Sequence, residues 1–127
     1  SVGSIVAALL AIGCNADEIK DILKDVNFEL FKDIHFGINK DFALSKGNIF
    51  TEWIRDAIEK KFYGTDYKKG KNSPVTFKNL NKNLIILTTD LNTFTPVEFS
   101  TFETPDFEVA TAIRIGNLSL SSSEILK

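Results

Sequence analysis

The sequence has one cysteine, one histidine and no methionine among its 127 residues. The single cysteine, Cys14, excludes an internal disulfide and any zinc site built from several cysteines. The single histidine, His35, excludes a metal site with several histidine ligands. No apolar run approaches the roughly 20 residues that cross a bilayer as a helix. Disulfide scaffolds and zinc sites of these kinds are therefore excluded.

Neither sign of charge is in large excess. Lys and Arg number 15 and Asp and Glu number 17, which gives a formal net charge of −2. This balance argues against a nucleic-acid binder that relies on a strong positive field. The hydrophobic share of 43% and the charged share of 25% are those of a globular chain, so wholesale disorder is excluded.

The first residue is Ser, and no basic segment precedes the apolar run that follows it. A chain that begins at its own start codon opens with Met unless it is processed, and a secretory signal peptide needs such a basic segment. We therefore expect the sequence to begin inside a longer chain, of which these residues form one domain or part of one.

Helical patterns occupy the first half of the chain. The segment 2–12 is almost continuously apolar and ends at Gly13, which predicts a buried helix. Asn15 is a natural N-cap for an amphipathic helix, and the helical region is expected to extend over 15–64. Its apolar positions are Ile19, Ile22, Leu23 and Val26, then Phe28, Phe31 and Ile34, and finally Ile49, Phe50, Trp53, Ile54, Ala57, Ile58 and Phe62. Residues 35–47 are expected to be irregular, with Gly37 and Gly47 as helix breakers.

Strand patterns follow in the second half. Leu84–Thr89 and Val97–Thr101 flank a predicted turn, which indicates an antiparallel hairpin over 84–101. Thr104 and Pro105 resemble an N-cap with proline at the first helical position, so a last helix is predicted over 105–115. The fold class is therefore α/β, helix-rich with one β-hairpin, and the strand content is too small for a complete sheet.

Two stretches of sequence resemble the patatin-like phospholipase family. The opening SVGSIVAALLAIG is similar to the family's nucleophile elbow, G-x-S-x-G, followed by a helix of small residues. In that alignment Ser1 falls on the nucleophile and Gly3 on the last glycine of the motif. The stretches LIILTTDLNTFTPVEFS and TPDFEVATAIR resemble the family's strand ending in Thr-Asp-Leu, its turn, its next strand and the following helix.

The resemblance implies that residues 1–127 are part of a patatin-type layered α/β domain. It implies a lipid acyl hydrolase with a Ser-Asp dyad, in which Ser1 is the nucleophile and the N–H of Val2 stabilises the oxyanion. No metal or organic cofactor is implied. The implied substrate is a lipid or fatty-acyl ester, with peripheral membrane contact, a cytoplasmic or membrane-peripheral location and no nucleic-acid partner. The apolar helix and strand lack sheet neighbours, so the isolated chain is expected to self-associate.

The family's catalytic Asp precedes a Gly, and these 127 residues contain no Asp-Gly pair. The dyad Asp is therefore expected outside this chain, and the chain alone is expected to be inactive. The residues from Gly116 to Lys127 also depart from the family, which has a Ser-x-Ser-Ile-Pro stretch there.

Other interpretations remain open. Ser1 and Gly3 also fit a helix cap with a packing glycine, and the whole chain also fits a non-catalytic binding or assembly module. A serine hydrolase with a His-containing triad would need a later histidine, because His35 comes early and is expected to be a surface or packing residue. Asp90 ends the best strand, where a substitute base would lie, but an Asp there is expected to bond the backbone of the following turn.

Three further features have simple structural interpretations. Cys14 is expected to be a small buried apolar residue. Asp106 is expected to be an acidic residue in the first turn of the last helix. Lys68, Lys69 and Lys71 are expected in a solvated loop, with contact to anionic lipid as the alternative, and Phe94 is a candidate for contact with acyl chains.

Overall fold

A computed structural model describes residues 2–24, 26, 40–90 and 92–117. Four α-helices and two strands lie in these ranges. They are α1 Val2–Ala11, α2 Ala16–Leu23, α3 Lys40–Tyr63, β1 Ile85–Asp90, β2 Thr95–Ser100 and α4 Val109–Asn117. Short 3-10 turns occupy Gly64–Asp66 and Phe77–Asn79. The prediction of a helix-rich α/β chain with one hairpin is confirmed. The predictions for Phe28, Phe31, Ile34, Gly37 and the last ten residues lie outside the described residues.

Helix α1 is central to the core, as its apolar sequence predicts. Its most deeply buried side chains are Ile5, Ala8 and Leu9, and α1 packs against α4 and α2. Leu10 is about half exposed, so α1 is not covered on every side. Cys14, just beyond the helix, is buried, which confirms its predicted packing role.

Gly13 ends α1 in a Schellman motif. Its N–H donates to the carbonyl of Leu10 at 3.1 Å, and the N–H of Cys14 donates to the carbonyl of Leu9 at 2.9 Å. This closure requires a positive φ, and Gly13 has φ +103°. The side chain of Asn81 lies against the turn and donates to the carbonyl of Ile12. The predicted helix stop is therefore confirmed.

Replacing Gly13 with Ala should destabilise the fold for two reasons. The alanine would have to adopt a strained positive φ, and its Cβ would lie 2.8 Å from Nδ2 of Asn81. The expected loss is about 1–2 kcal/mol in the free energy of unfolding, measured with urea. Gly70→Ala is the matched control, because Gly70 has φ +72° but open space around its Cβ position. Equal losses in the two variants would show that the Asn81 contact contributes nothing.

Helix α2 begins with the predicted N-cap. The side chain of Asn15 accepts from the N–H of Glu18, and the Glu18 carboxylate accepts from the N–H of Asn15. This reciprocal pair is a capping box, which satisfies two backbone donors at the helix start. Glu18 also pairs with Lys61 of α3 at 2.8 Å, which joins the two helices.

Helix α3 begins at Lys40, so the prediction of irregular structure over residues 40–47 was wrong. A glycine inside a helix costs only about 1 kcal/mol relative to alanine, and Gly47 is tolerated in a helix of 24 residues. The buried side chains of Phe50, Ile54 and Ile58 recur every four residues and anchor the second half of α3 in the core.

The hairpin has the predicted pairing with slightly different bounds. Ile85 pairs with Ser100 and Asp90 with Thr95, so β2 begins two residues earlier than predicted and ends one residue earlier. Ile86 points into the core, whereas Ile85 and Leu87 on the other face of β1 are largely exposed. Alternate side chains of a strand lie on opposite faces, so one face of β1 covers α4 and the other faces outward.

Helix α4 begins at Val109, so the prediction that Pro105 opens this helix was wrong. Thr104 instead closes the turn after β2, because its hydroxyl accepts from the N–H of Ser100 at 2.9 Å. The chain from Pro105 then runs beside the Phe77 turn: the carbonyl of Pro105 accepts from Lys78, and that of Phe107 accepts from Phe77. Asp106 is therefore not in a first helical turn, and its carboxylate pairs with Lys78.

Candidate functional site

The elbow assigned from sequence lies at the start of α1. Val2 is the first residue of the helix, and Gly3 is exposed in its first turn. Ser1 lies outside the described residues, but it is bonded directly to Val2. The first N–H groups of a helix have no partner inside it and carry the positive end of the helix dipole. The backbone beside Ser1 is therefore suited to stabilising a negative charge.

The helix behind the elbow is firmly held. Ile5 is buried one turn after Val2, and Leu9 follows one turn later. At the other end, the backbone N–H of Asn81 donates to the carbonyl of Ala11 at 2.9 Å. Burial of Ile5, Ala8 and Leu9 anchors α1 in the core and so fixes the direction of its N-terminus, which a preorganised oxyanion site requires.

Asp90 has the backbone contact expected of a turn residue. Its Oδ1 accepts from the N–H of Asn92 at 2.8 Å, at the end of β1. Phe94, in the same turn, has φ +54° and is 82% exposed. His35, the other residue considered for a catalytic role, lies outside the described residues.

The lysine loop is ordered by its own polar side chains. The side chain of Asn72 accepts from the N–H of Lys68 at 2.8 Å, and Tyr63 donates its hydroxyl to the carbonyl of Ser73. Lys68, Lys69 and Lys71 are all exposed, and Lys69 also lies 3.7 Å from the carboxylate of Asp56. The structure therefore confirms the prediction of a solvated loop for all three lysines.

A cavity of about 360 Å³ lies between α3, this loop and the start of α4. No motif in the sequence predicts this cavity. Three acidic residues of α3 line it at positions 52, 56 and 59, spacings that place them on one side of the helix. This spacing is the one feature of the sequence that could have indicated an acidic surface here. Glu108, the fourth acidic residue, lies beside the other three only because of the tertiary fold.

One partly buried ion pair lines this cavity. Arg55 donates through Nε and Nη2 to the two oxygens of Glu108, both at 2.7 Å. Burial opposes the ionisation of Glu108, but hydrogen bonds from Arg55 and Thr111 outweigh it and hold the pKa of Glu108 below its ordinary value. The same pairing with Glu108 raises the pKa of Arg55. The pair therefore stays charged and joins α3 to α4.

Two neighbouring acidic groups, Tyr67 and Glu59, have pKa values above their ordinary values. Partial burial and the hydrogen bond that it donates to Asp56 at 2.9 Å raise the pKa of Tyr67 to about 12. Burial, with the charge of Glu108, raises the pKa of Glu59.

Within 2–24, 26, 40–90 and 92–117, no group of three or more His, Cys, Asp or Glu residues is arranged to hold a metal ion. None of the helices in these ranges is both long and apolar enough to cross a membrane.

Comparison with known proteins gives one family. The sequence profile described as patatin-like phospholipase matches residues 1–120. An uncharacterised protein of Acanthamoeba polyphaga mimivirus is 34% identical over 122 residues, which covers 91% of this chain and 37% of that protein. The chain thus spans well under half the length of this relative. No solved structure matches the chain.

Proposed function

Because this chain belongs to the patatin-like phospholipase family, we propose that it is the elbow-bearing part of a lipid acyl hydrolase with Ser1 as the nucleophile. The observation that carries the proposal is the start of α1 at Val2, directly after Ser1, within a family match that begins at residue 1. A nucleophile at this position has the N-terminus of a buried helix beside it.

The proposed chemistry has two steps. The hydroxyl oxygen of Ser1 attacks the ester carbonyl, its proton passes to the dyad carboxylate, and the N–H of Val2 stabilises the oxyanion. The intermediate collapses to an acyl-enzyme when the alcohol leaves with that proton. Water, activated by the same carboxylate, then attacks the acyl-enzyme and releases the fatty acid and Ser1. The substrate is proposed to be a lipid or fatty-acyl ester.

The dyad carboxylate is proposed to belong to a part of the protein outside these 127 residues. The sequence has no Asp-Gly pair, and the chain spans 37% of the viral relative. Asp90 is a weak substitute, because its carboxylate already accepts from the turn backbone. The elbow and the base would then come together only in the longer protein.

Membrane contact is proposed to involve the hairpin. Leu87 on β1 is 66% exposed, and Phe94 at the tip is the most exposed large apolar side chain among the described residues. Exposed apolar side chains at a loop tip suit insertion into a lipid surface. The same outward face of β1 also supports the proposed self-association of the isolated chain.

The absence of an Asp-Gly pair favours a second candidate, a non-catalytic binding or assembly module of the same family. The two candidates differ in what the longer protein does. An acyl hydrolase loses ester hydrolysis when Ser1 is changed, whereas a binding module has none to lose.

The isolated 127-residue chain should not react with a fluorophosphonate probe. A serine hydroxyl without a base is a poor nucleophile, and no dyad Asp is expected in this chain. Mass spectrometry of the probe-treated chain measures the adduct, with a serine protease as the positive control. Stoichiometric labelling of Ser1 would show that a base lies within these residues, and Asp90 would then be the first residue to test.

A further inference from the structure

The cavity between α3 and the start of α4 has a negative wall. Its charged side chains are Glu52, Arg55, Asp56, Glu59, Lys69 and Glu108. Four acids against two bases leave a net negative charge. The acids at 52, 56 and 59 also repel one another along one side of α3, because like charges four residues apart destabilise a helix.

Both bases of this wall are already engaged. Arg55 makes its two short hydrogen bonds to Glu108. Lys69 lies 3.7 Å from Asp56, which also accepts from the hydroxyl of Tyr67. Glu52 and Glu59 form no ion pair or hydrogen bond within the part of the chain that the structure describes, and Arg55 attracts both from a longer distance.

Glu59 is the unusual member of this group. It is only 4% exposed and lines the cavity, yet it makes no hydrogen bond or ion pair with any described residue. A buried carboxylate without a partner is costly, so such groups are normally paired. The raised pKa of Glu59 agrees with this environment. A hydrogen-bond donor on a ligand in the cavity that Glu59 lines would satisfy this carboxylate.

We propose that this cavity binds a primary ammonium group, with Glu59 as the principal acceptor and Glu52 and Asp56 as secondary acceptors. An ammonium has three N–H donors and a charge that matches the wall, and hydrogen bonds from it to carboxylates are charge-assisted. The excess of acidic over basic side chains in the lining disfavours an anion. A metal ion is disfavoured because these carboxylates are not arranged as a ligand set.

The size of the cavity fits a small ligand. A volume of about 360 Å³ is at the lower end of the roughly 300–1,000 Å³ of small-molecule sites. The ammonium could belong to a free alkylamine or to an ethanolamine headgroup. The negative wall would repel the headgroup phosphate, so we expect the free amine to bind more tightly. The proposal stands apart from the proposed ester hydrolysis, because it uses none of the elbow residues.

NMR titration of the isotope-labelled 127-residue chain with n-propylamine tests the proposal. We expect saturable chemical-shift changes of the backbone amides around residues 52–59. In Glu59→Gln the dissociation constant should be at least about tenfold higher, because a charge-assisted acceptor is lost. Glu103→Gln is the matched control, since it removes one exposed charge outside the cavity. Tetramethylammonium, which has the charge but no N–H donor, should bind more weakly than propylamine.

One further variant and one further ligand complete the test. Glu52→Gln changes an exposed side chain and cannot disturb the core, so it should weaken binding about threefold even where Glu59→Gln fails to fold. Glycerophosphoethanolamine separates the two sources, and tighter binding than propylamine would assign the site to a lipid headgroup. Absence of saturable binding by either amine, or equal affinity in wild type, Glu52→Gln and Glu59→Gln, would overturn the proposal whatever the activity of the elbow.

Discussion

Replacing Ser1 with Ala in the longer protein should lower hydrolysis of a chromogenic fatty-acid ester by several powers of ten. Without its hydroxyl the protein cannot form an acyl-enzyme, and only the oxyanion donors and substrate binding remain. In serine hydrolases the loss of the nucleophile costs about 10⁶-fold in the catalysed rate. The measurement is the rate per folded molecule, with the folded fraction determined separately.

Two control variants make this result specific. Ser73→Ala is the same chemical change at an exposed loop position, and its rate should equal that of wild type. His35→Ala should change the rate by less than about tenfold, or ~1.4 kcal/mol of barrier, because a Ser-Asp dyad uses no histidine. If His35→Ala proved as damaging as Ser1→Ala, a histidine-based triad would replace the dyad.

Replacing Phe77 with Ala should cost about 3–5 kcal/mol in the free energy of unfolding, the range typical of a buried aromatic side chain. Phe77 is fully buried in the core cluster. Its backbone N–H also donates to the carbonyl of Phe107, and Val109 donates to the carbonyl of Val75. The ring therefore fills the core beneath the segment that positions the start of α4. Urea unfolding of the 127-residue chain gives the change.

Phe102→Ala is the matched control, because Phe102 is 63% exposed in the turn after β2. The same loss of atoms there should change the free energy of unfolding by less than about 0.5 kcal/mol. Similar losses in the two variants would contradict the placement of Phe77 in the core. A loss confined to Phe77→Ala would support it.

Local signals were sufficient for the helix ends near the elbow. Gly13 provides a positive φ that other residues rarely adopt, and Asn15 with Glu18 supplies both halves of a capping box. Each signal acts within a few residues, so the sequence alone reveals it. The hairpin was predictable for the same reason, since two strand patterns flank a short turn.

The two wrong helix boundaries arose from competition with more distant contacts. Thr104 and Pro105 have the residue types of a helix start, but Thr104 bonds back to Ser100 and closes the turn after β2. The backbone that begins at Pro105 then forms hydrogen bonds with the Phe77 turn. Gly47 resembles a breaker, yet the helix that contains it continues into the core at Phe50.

The two proposed sites differ in how far the sequence reveals them. The proposed elbow follows from residue identities at the start of α1, because its resemblance to the family depends on adjacent residues. The cavity depends on Arg55 meeting Glu108, 53 positions later, and on burial of Glu59 by the surrounding structure. Neither condition can be read from neighbouring residues in the sequence. The acidic residues of α3, taken alone, are typical of the solvent-exposed side of a helix.

Covalent trapping of the longer protein with a fluorophosphonate, followed by mass spectrometry of its peptides, tests the assignment of Ser1 most directly. An activated serine in a dyad reacts with this probe, whereas an ordinary hydroxyl does not. We expect one adduct per molecule, located on Ser1, and no adduct in the Ser1→Ala variant. An unlabelled Ser1, or an adduct on another residue that persists in Ser1→Ala, would contradict its role as the nucleophile.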